Sequence, residues 1–431
     1  MKKSFYIIIL LSIFCNNISA QEIIIDTTNI AFVQLQKNHL EIPQGSDSAL
    51  INAFFQKLSN LQQYKEGNIN IVHIGGSHVQ GGYFSDKIRR DFDFFNEDLQ
   101  SSRGLIFPYK AAKTNNPSNF SVRYSGEWSA ERNVKRSYSM PLGAAGIAAA
   151  TEDKNAEISI ALNTDKSLRW TFDTLVLIGQ SIVPDKVSPL LRGNDTTLIE
   201  GVFDETSHTY TFILPEKTDS FTVVFRQNDS VPNRFVLGGF LPKNSSQGIV
   251  YHDIGVNGAA VFSYLNCENF EQELTLLKPD LMIFGIGIND AVDKNFSAAN
   301  FINNYNKLLQ KIKNISPDCA FIFITNNDSY RNSWQVYYRK NKRRYRTVST
   351  VNTNGAIAEA AFYEIARQNG GAVWNQFAIM GGLTSMKEWQ NANLAARDKI
   401  HFTKSGYELL GNLFFNAILE YSNLLNFQQE D

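Results

Sequence analysis

Cysteine is scarce in this chain, with three in 431 residues. That excludes a disulfide-built scaffold, and no two of them stand at metal-ligand spacing. Cys267 and Cys319 lie in apolar stretches and read as two separate buried thiols; a disulfide between them is the other option in an oxidising compartment. Net charge is nearly absent as well. With 41 basic and 42 acidic residues the formal charge is -1, so the overall balance points to neither nucleic acid nor a strongly charged partner. There is no internal repeat and no low-complexity tract. Beyond the first residues, no apolar run is long enough to span a bilayer.

What is present is ordinary globular composition, 43% hydrophobic and 19% charged, enough to bury a full core. The length suits two compact units, or one domain carrying a large insertion. The N-terminus reads as a secretory signal peptide. Lys2 and Lys3 precede an apolar run over 5–14, and small residues Ser19 and Ala20 stand before Gln21. Cleavage after Ala20 would leave a mature chain near -3, without a transmembrane segment and exported to the periplasm or beyond. Lipid attachment at Cys15 ranks second, because Phe14 is bulky where such sites carry small residues.

Hydrophobic periodicity organises the rest. A helix is predicted over 47–65, a short apolar strand over 69–74, a turn at Gly75-Gly76-Ser77 and a helix over 83–95, which together make a parallel α/β unit. From about 100 to 250 the texture changes to short alternating runs separated by turn residues, which predicts a β-sandwich. The α/β pattern then resumes. Strands are expected at 281–285, 320–325 and 371–374, and helices at 300–315, 353–368 and 405–421. The expected architecture is a three-layer α/β/α domain with a parallel sheet. It is split into 21–99 and 251–431 by a sandwich at 100–250, after a leader at 1–20.

Three segments carry candidate chemistry. Ser77 sits on a strand-to-helix turn, where a hydroxyl projects at the carboxyl end of the sheet and its own amide can face a developing oxyanion. Asn289, in Gly287-Ile288-Asn289-Asp290, follows the strand at 281–285 and offers a neutral side-chain donor at the same edge; a helix cap is its plainer role. Asp398 and His401, three residues apart on one turn, can act as orienting carboxylate and general base. Taken singly, each is a common accident.

In this order the segments resemble the SGNH (GDSL-like) hydrolase superfamily over about 47–97 and 250–425. His73-Ile74-Gly75-Gly76-Ser77-His78 is similar to its first block and Asp253-Ile254-Gly255-Val256-Asn257-Gly258-Ala259 to its second. Gly287-Ile288-Asn289-Asp290 matches the third, and Asp398-Lys399-Ile400-His401 the Asp-x-x-His block. The resemblance implies a serine esterase with Ser77, Asp398 and His401 as triad. The Ser77 and Gly258 amides and the Asn289 side chain would form the oxyanion hole, and no metal or cofactor would be needed. One departure is Gly76, where the family usually has Asp; it bears on turn geometry more than on reaction type.

A narrower resemblance is to bacterial peptidoglycan O-acetylesterases, which carry a carbohydrate-binding-like β domain between the first two blocks. Ser77-His78, the run from Arg103 to Pro108, and Ser125-Gly126-Glu127-Trp128 carry it. It implies an acetylated polysaccharide substrate. The rival expectations are an acetyl-transferring enzyme and a glycan-binding homologue with a dead site. Trp128 and Tyr124 are candidate sugar-stacking aromatics in the insertion, a core tryptophan being the commoner case. The basic run Lys340, Lys342, Arg343, Arg344 and Arg346 reads as a solvated loop that could meet an anionic wall polymer.

Overall fold

The computed structural model describes residues 30–95, 102–165, 169–193 and 197–429. The leader expectation, with Cys15 and cleavage after Ala20, lies outside the described residues.

The α/β domain is built on β1 (Leu40–Glu41), β2 (Asn68–Gly75), β3 (Gly248–Gly255), β4 (Leu281–Gly285), β5 (Ala320–Ile324) and β6 (Ala372–Trp374). Their spatial order is β1-β6-β5-β4-β2-β3. Five strands run parallel, and the short β1 closes the β6 edge antiparallel. Six helices matter to the layers: α1 (Ala49–Tyr64), α2 (Ser77–Gln80), α3 (Tyr83–Phe95), α4 (Ala298–Ile315), α5 (Asn354–Asn369) and α6 (Lys404–Gln429).

Alternate strand residues face opposite helix layers, as the two-residue repeat of a strand requires. Ile71, Ile283 and Ile322 pack with Phe55 and Leu58 of α1, Ile88 and Phe92 of α3 and Phe414 of α6. Val72, Ile74, Met282, Phe284 and Phe323 pack with Tyr305 and Leu308 of α4 and Phe362 of α5. Strands covered on both faces have no solvent side, which is why they read as continuous apolar runs.

The chain leaves β2 for the outer β3 and then returns past β2 to lay down β4. The connections after β2 and after β4 therefore diverge, and the crevice at the carboxyl ends of these two strands is where an open α/β sheet holds its ligand.

Between α3 and β3 lies a sandwich of a six-stranded and a five-stranded sheet, with strands from Ser121–Ser125 to Phe235–Lys243. The chain re-enters the α/β sheet at Gly248, so the expected boundary at 250–251 falls inside β3. The sandwich core is aromatic, with Phe172 on Phe221 and Trp128 on Phe225, both edge to face. It is continuous with the α4–α5 layer in one buried cluster, so the insertion shares a core with its host.

Trp128 takes the commoner of its two expected places, and the expectation for the basic run changes. Trp128 is only 6% exposed and its indole nitrogen donates to the Ser125 carbonyl. It belongs to the core, while Tyr124 is exposed. The basic run is no loop: Tyr330–Arg339 and Lys342–Val351 form an antiparallel hairpin. Lys340 and Asn341 turn it with φ of 49° and 57°, the left-handed pair that matches strand twist.

Candidate active site

β2 ends at Gly75, and Ser77 opens α2 after a single intervening residue. The tightness of this turn explains Gly75. A Cβ there would lie 2.3 Å from Val79 Cγ2 and 2.9 Å from the Gly285 carbonyl oxygen, so any side chain would force α2 and β4 apart. Gly76 is less crowded and has φ of -98°, outside the left-handed region. A Cβ on it would sit 3.2 Å from Asn289 Nδ2, so a side chain beside Ser77 would press on the Asn289 amide.

Ser77 Oγ lies 2.8 Å from His401 Nε2, and His401 Nδ1 lies 2.7 Å from Asp398 Oδ2. The second carboxylate oxygen, Oδ1, accepts from the Ile400 and His401 amides at 3.0 Å each. Lys399, between them, takes φ of 58°, which lets three residues close the turn around one carboxylate. Partial burial pushes the Asp398 carboxyl up. The His401 side-chain bond and the two amides outweigh this and hold it at about 2. An ionised carboxylate can only accept, so His401 Nδ1 carries the proton and Nε2 presents a lone pair to the Ser77 hydroxyl.

Asn289 stands in the helix Ile288–Val292 after β4, and its Nδ2 donates to the Ala259 carbonyl at 2.9 Å. A side-chain amide has two N–H groups; this bond uses one, at the edge of the Ser77 turn. Gly258 has φ of +85°, with only the Val134 side chain near a would-be Cβ, at 3.7 Å. Backbone conformation, not crowding, therefore asks for glycine. The loop is held from beneath by Gln80, 1% exposed, whose Oε1 accepts from the Asn257 amide at 2.7 Å. Gln80 Nε2 donates to Thr114 Oγ1 and the Asn115 carbonyl, tying the loop to the insertion.

Other residues of the motifs have different partners. His78 Nδ1 lies 2.8 Å from the Tyr407 hydroxyl, and its ring stands 5.1 Å from that of His401. Burial, then the His401 charge, pulls the His78 pKa down to about 3. A neutral ring therefore lies beside His401. His73 is buried, with Nδ1 2.7 Å from the Tyr251 hydroxyl.

Asp253 meets two buried guanidiniums, Arg89 at 2.7 Å and Arg103 at 2.9 Å, and accepts from Ser85. Burial alone pushes Asp253 up; the charges of Arg103 and Arg89 reverse this and hold it well below the usual carboxylate range. Sequence reasoning did not find Gln80, Tyr407 or this ion cluster. Their partners lie far away along the chain, and no local pattern marks them. Cys267 and Cys319 are separate buried thiols.

The model of the GDSL-like Lipase/Acylhydrolase family matches residues 219–409, a span that holds Asn289, Asp398 and His401. Among solved structures, one described as a peptidoglycan O-acetylesterase in action is similar to this chain with a TM-score of 0.68 at 20% identity, over 86% of this chain and 96% of its own. An acetyl xylan esterase aligns with 40% of this chain and 81% of its own, at TM-score 0.29 and 14% identity. A putative GDSL-like lipase from Parabacteroides merdae aligns with 40% and 73%, at TM-score 0.28 and 15% identity. No curated protein matches the chain.

Proposed function

From the premise that residues 219–409 carry a GDSL-like acylhydrolase domain, we propose that the chain is an esterase that removes O-acetyl groups from a cell-envelope polysaccharide, with peptidoglycan as the first candidate. The observation that carries the reading is the unbroken relay from Ser77 through His401 to Asp398 at the crevice where β2 and β4 end. In this reading His401 Nε2 takes the Ser77 proton as Oγ attacks the acetyl carbonyl carbon. The new oxyanion is met by the Ser77 and Gly258 amides and by the free N–H of Asn289. The imidazolium, balanced by Asp398, gives its proton to the departing sugar oxygen. Water, deprotonated by His401, then releases acetate and restores Ser77.

The choice of an acetylated glycan is supported by a fold shared, insertion included, over most of both chains with a protein described as a peptidoglycan O-acetylesterase. Envelope location rests on the leader-like residues 1–20. Acetate release from O-acetylated peptidoglycan, acetylated xylan and a small acetyl ester tests the proposal. The wild type releases acetate, and a folded Ser77→Ala protein releases none. Near-normal turnover by Ser77→Ala would remove the triad assignment. Acetyl-sugar formation in place of acetate would make the enzyme a transferase, and glycan binding without turnover would leave a binding homologue.

A further inference from the structure

The hairpin Tyr330–Arg339/Lys342–Val351 differs from the rest of the molecule in charge. Its residues, 330–351, include seven arginines and lysines and no aspartate or glutamate, while the whole chain is at -1. The remainder of the chain is therefore net acidic, and this arm is where positive charge is concentrated. Its register pairs Trp334 with Thr347, Val336 with Tyr345 and Tyr338 with Arg343. Cross-strand partners share a face and neighbours alternate. One face therefore presents Trp334, Tyr338 and Tyr345, which are 76%, 72% and 56% exposed. The other presents Arg339, Lys342, Arg344 and Arg346. Three large rings on one side of an isolated hairpin are a contiguous apolar surface of the kind that marks a binding site.

The root of the arm is fastened to both loops of the candidate active site. The Tyr330 amide donates to the Lys399 carbonyl, and the Lys399 ammonium sits 4.7 Å from the Tyr330 ring centre. Asn332 Nδ2 donates to the Asp398 carbonyl at 3.2 Å. On the other side, Arg331 Nε donates to the Val292 carbonyl at 3.0 Å, at the end of the helix that carries Asn289. The arm thus rises from the rim between His401 and Asn289.

We propose that this hairpin is a clasp for an anionic polysaccharide strand and lays it alongside Ser77. Flat rings stack on the apolar faces of sugar rings, and guanidinium forks pair with sugar or peptide carboxylates. A bilayer fits the arm less well. Its tip, Lys340 and Asn341 between Arg339 and Lys342, is too charged to enter hydrocarbon, and its three most exposed rings point away from most of its cationic side chains, with Tyr337 on the cationic face beside Arg344. Holding a polymer a few sugars from the nucleophile raises the local concentration of its esters. The purpose of the clasp rests on the esterase reading, but the binding itself does not.

The test uses the full chain and two variants on exposed positions, Trp334→Ala/Tyr338→Ala and Arg343→Gln/Arg344→Gln/Arg346→Gln. Affinity electrophoresis in polygalacturonate, with dextran as neutral control, reads binding without catalysis. The wild type is retarded by polygalacturonate and not by dextran, and salt weakens the effect. Each variant, at unchanged melting temperature, loses about tenfold in affinity, and its ratio of polymer to small-ester kcat/KM falls by about tenfold. A chain whose hairpin is shortened across 335–346 to an Asn-Gly turn replaces any variant that fails to fold.

Wild-type affinity in the variants overturns the proposal. So does binding to phosphatidylglycerol vesicles, or dimer formation, that the substitutions abolish while polygalacturonate binding persists. Loss of polygalacturonate binding in the variants, with no acetyl ester cleaved even by the wild type, would support the clasp and reject the esterase reading.

Discussion

At the scale of single residues, a few atoms set the chemistry. Asp398 is held at about 2 by one imidazole and two amides, so it stays ionised across the working range and fixes the tautomer of His401. Asn289 makes one bond to Ala259, and in the proposed mechanism its second N–H meets the oxyanion. Replacing Asn289 with Ala should lower kcat by about 10²–10³ with little change in KM, the usual cost of losing one oxyanion donor. Steady-state kinetics and a melting curve on the same protein decide this. A fall in melting temperature with kcat intact would reduce Asn289 to a loop fastener. Gly76 puts no side chain beside the Asn289 amide, where a Cβ would lie 3.2 Å from Nδ2.

At the scale of elements, the site depends on groups that touch no substrate. Asp253 at the end of β3, with Arg89 from α3 and Arg103 from the segment entering the insertion, forms a buried ion cluster. Taking Asp253 to Asn leaves the buried Arg103 without its paired carboxylate and Arg89 with Asp86 alone, at 3.4 Å. That should cost about 3–5 kcal/mol, read as a lower denaturant midpoint at neutral pH. The folded pKa of Asp253 is depressed, so its contribution is fully present above the unfolded carboxylate value and is lost as pH falls toward the folded one. An Asp253→Asn chain as stable as the wild type at neutral pH would show that the arginines find other partners. Trp128 argues at the same scale. It is core, packed on Phe225, so Trp128→Ala should lose about 3–5 kcal/mol. Activity on polymer and on small ester should then fall together, and a selective loss on polymer would return Trp128 to the glycan-stacking role.

At the scale of the whole molecule, sandwich and α/β domain act as one body because they share a core and a buried carboxylate. Glu273, on the helix Phe270–Leu277 after β3, accepts from the Ala144 amide of the insertion at 2.9 Å. Burial raises its pKa to about 7. The folded state therefore binds a proton that the unfolded state releases near 4.5, and stability is lost as pH rises through that window and toward 7. Glu273→Gln, which keeps an acceptor without the charge, should raise the melting temperature at pH 8 and leave it nearly unchanged at pH 4. Equal shifts at both values would show that Glu273 binds its proton no more tightly in the folded chain than in the unfolded one.

The sequence by itself determined the elements and the order of the chemical groups. Buried parallel strands must be apolar throughout, helices must repeat every three to four residues, and the Asp398–His401 pair is local enough to close within one turn. The sandwich announced itself by short alternating runs, and Ser77 by its place between a strand and a helix. Tertiary structure alone decided what those groups meet. Ser77 and His401 are 324 positions apart, and only the return of the chain past β2 brings the end of β4 beside the serine turn. The 330–351 hairpin was not legible in the sequence, and the core place of Trp128 was legible only as the commoner of two. A tryptophan between short strands is compatible with either face of a sheet, and a run of lysines and arginines has no periodicity to separate strand from loop. Their places follow from cross-strand partners, a long-range property that no local pattern encodes.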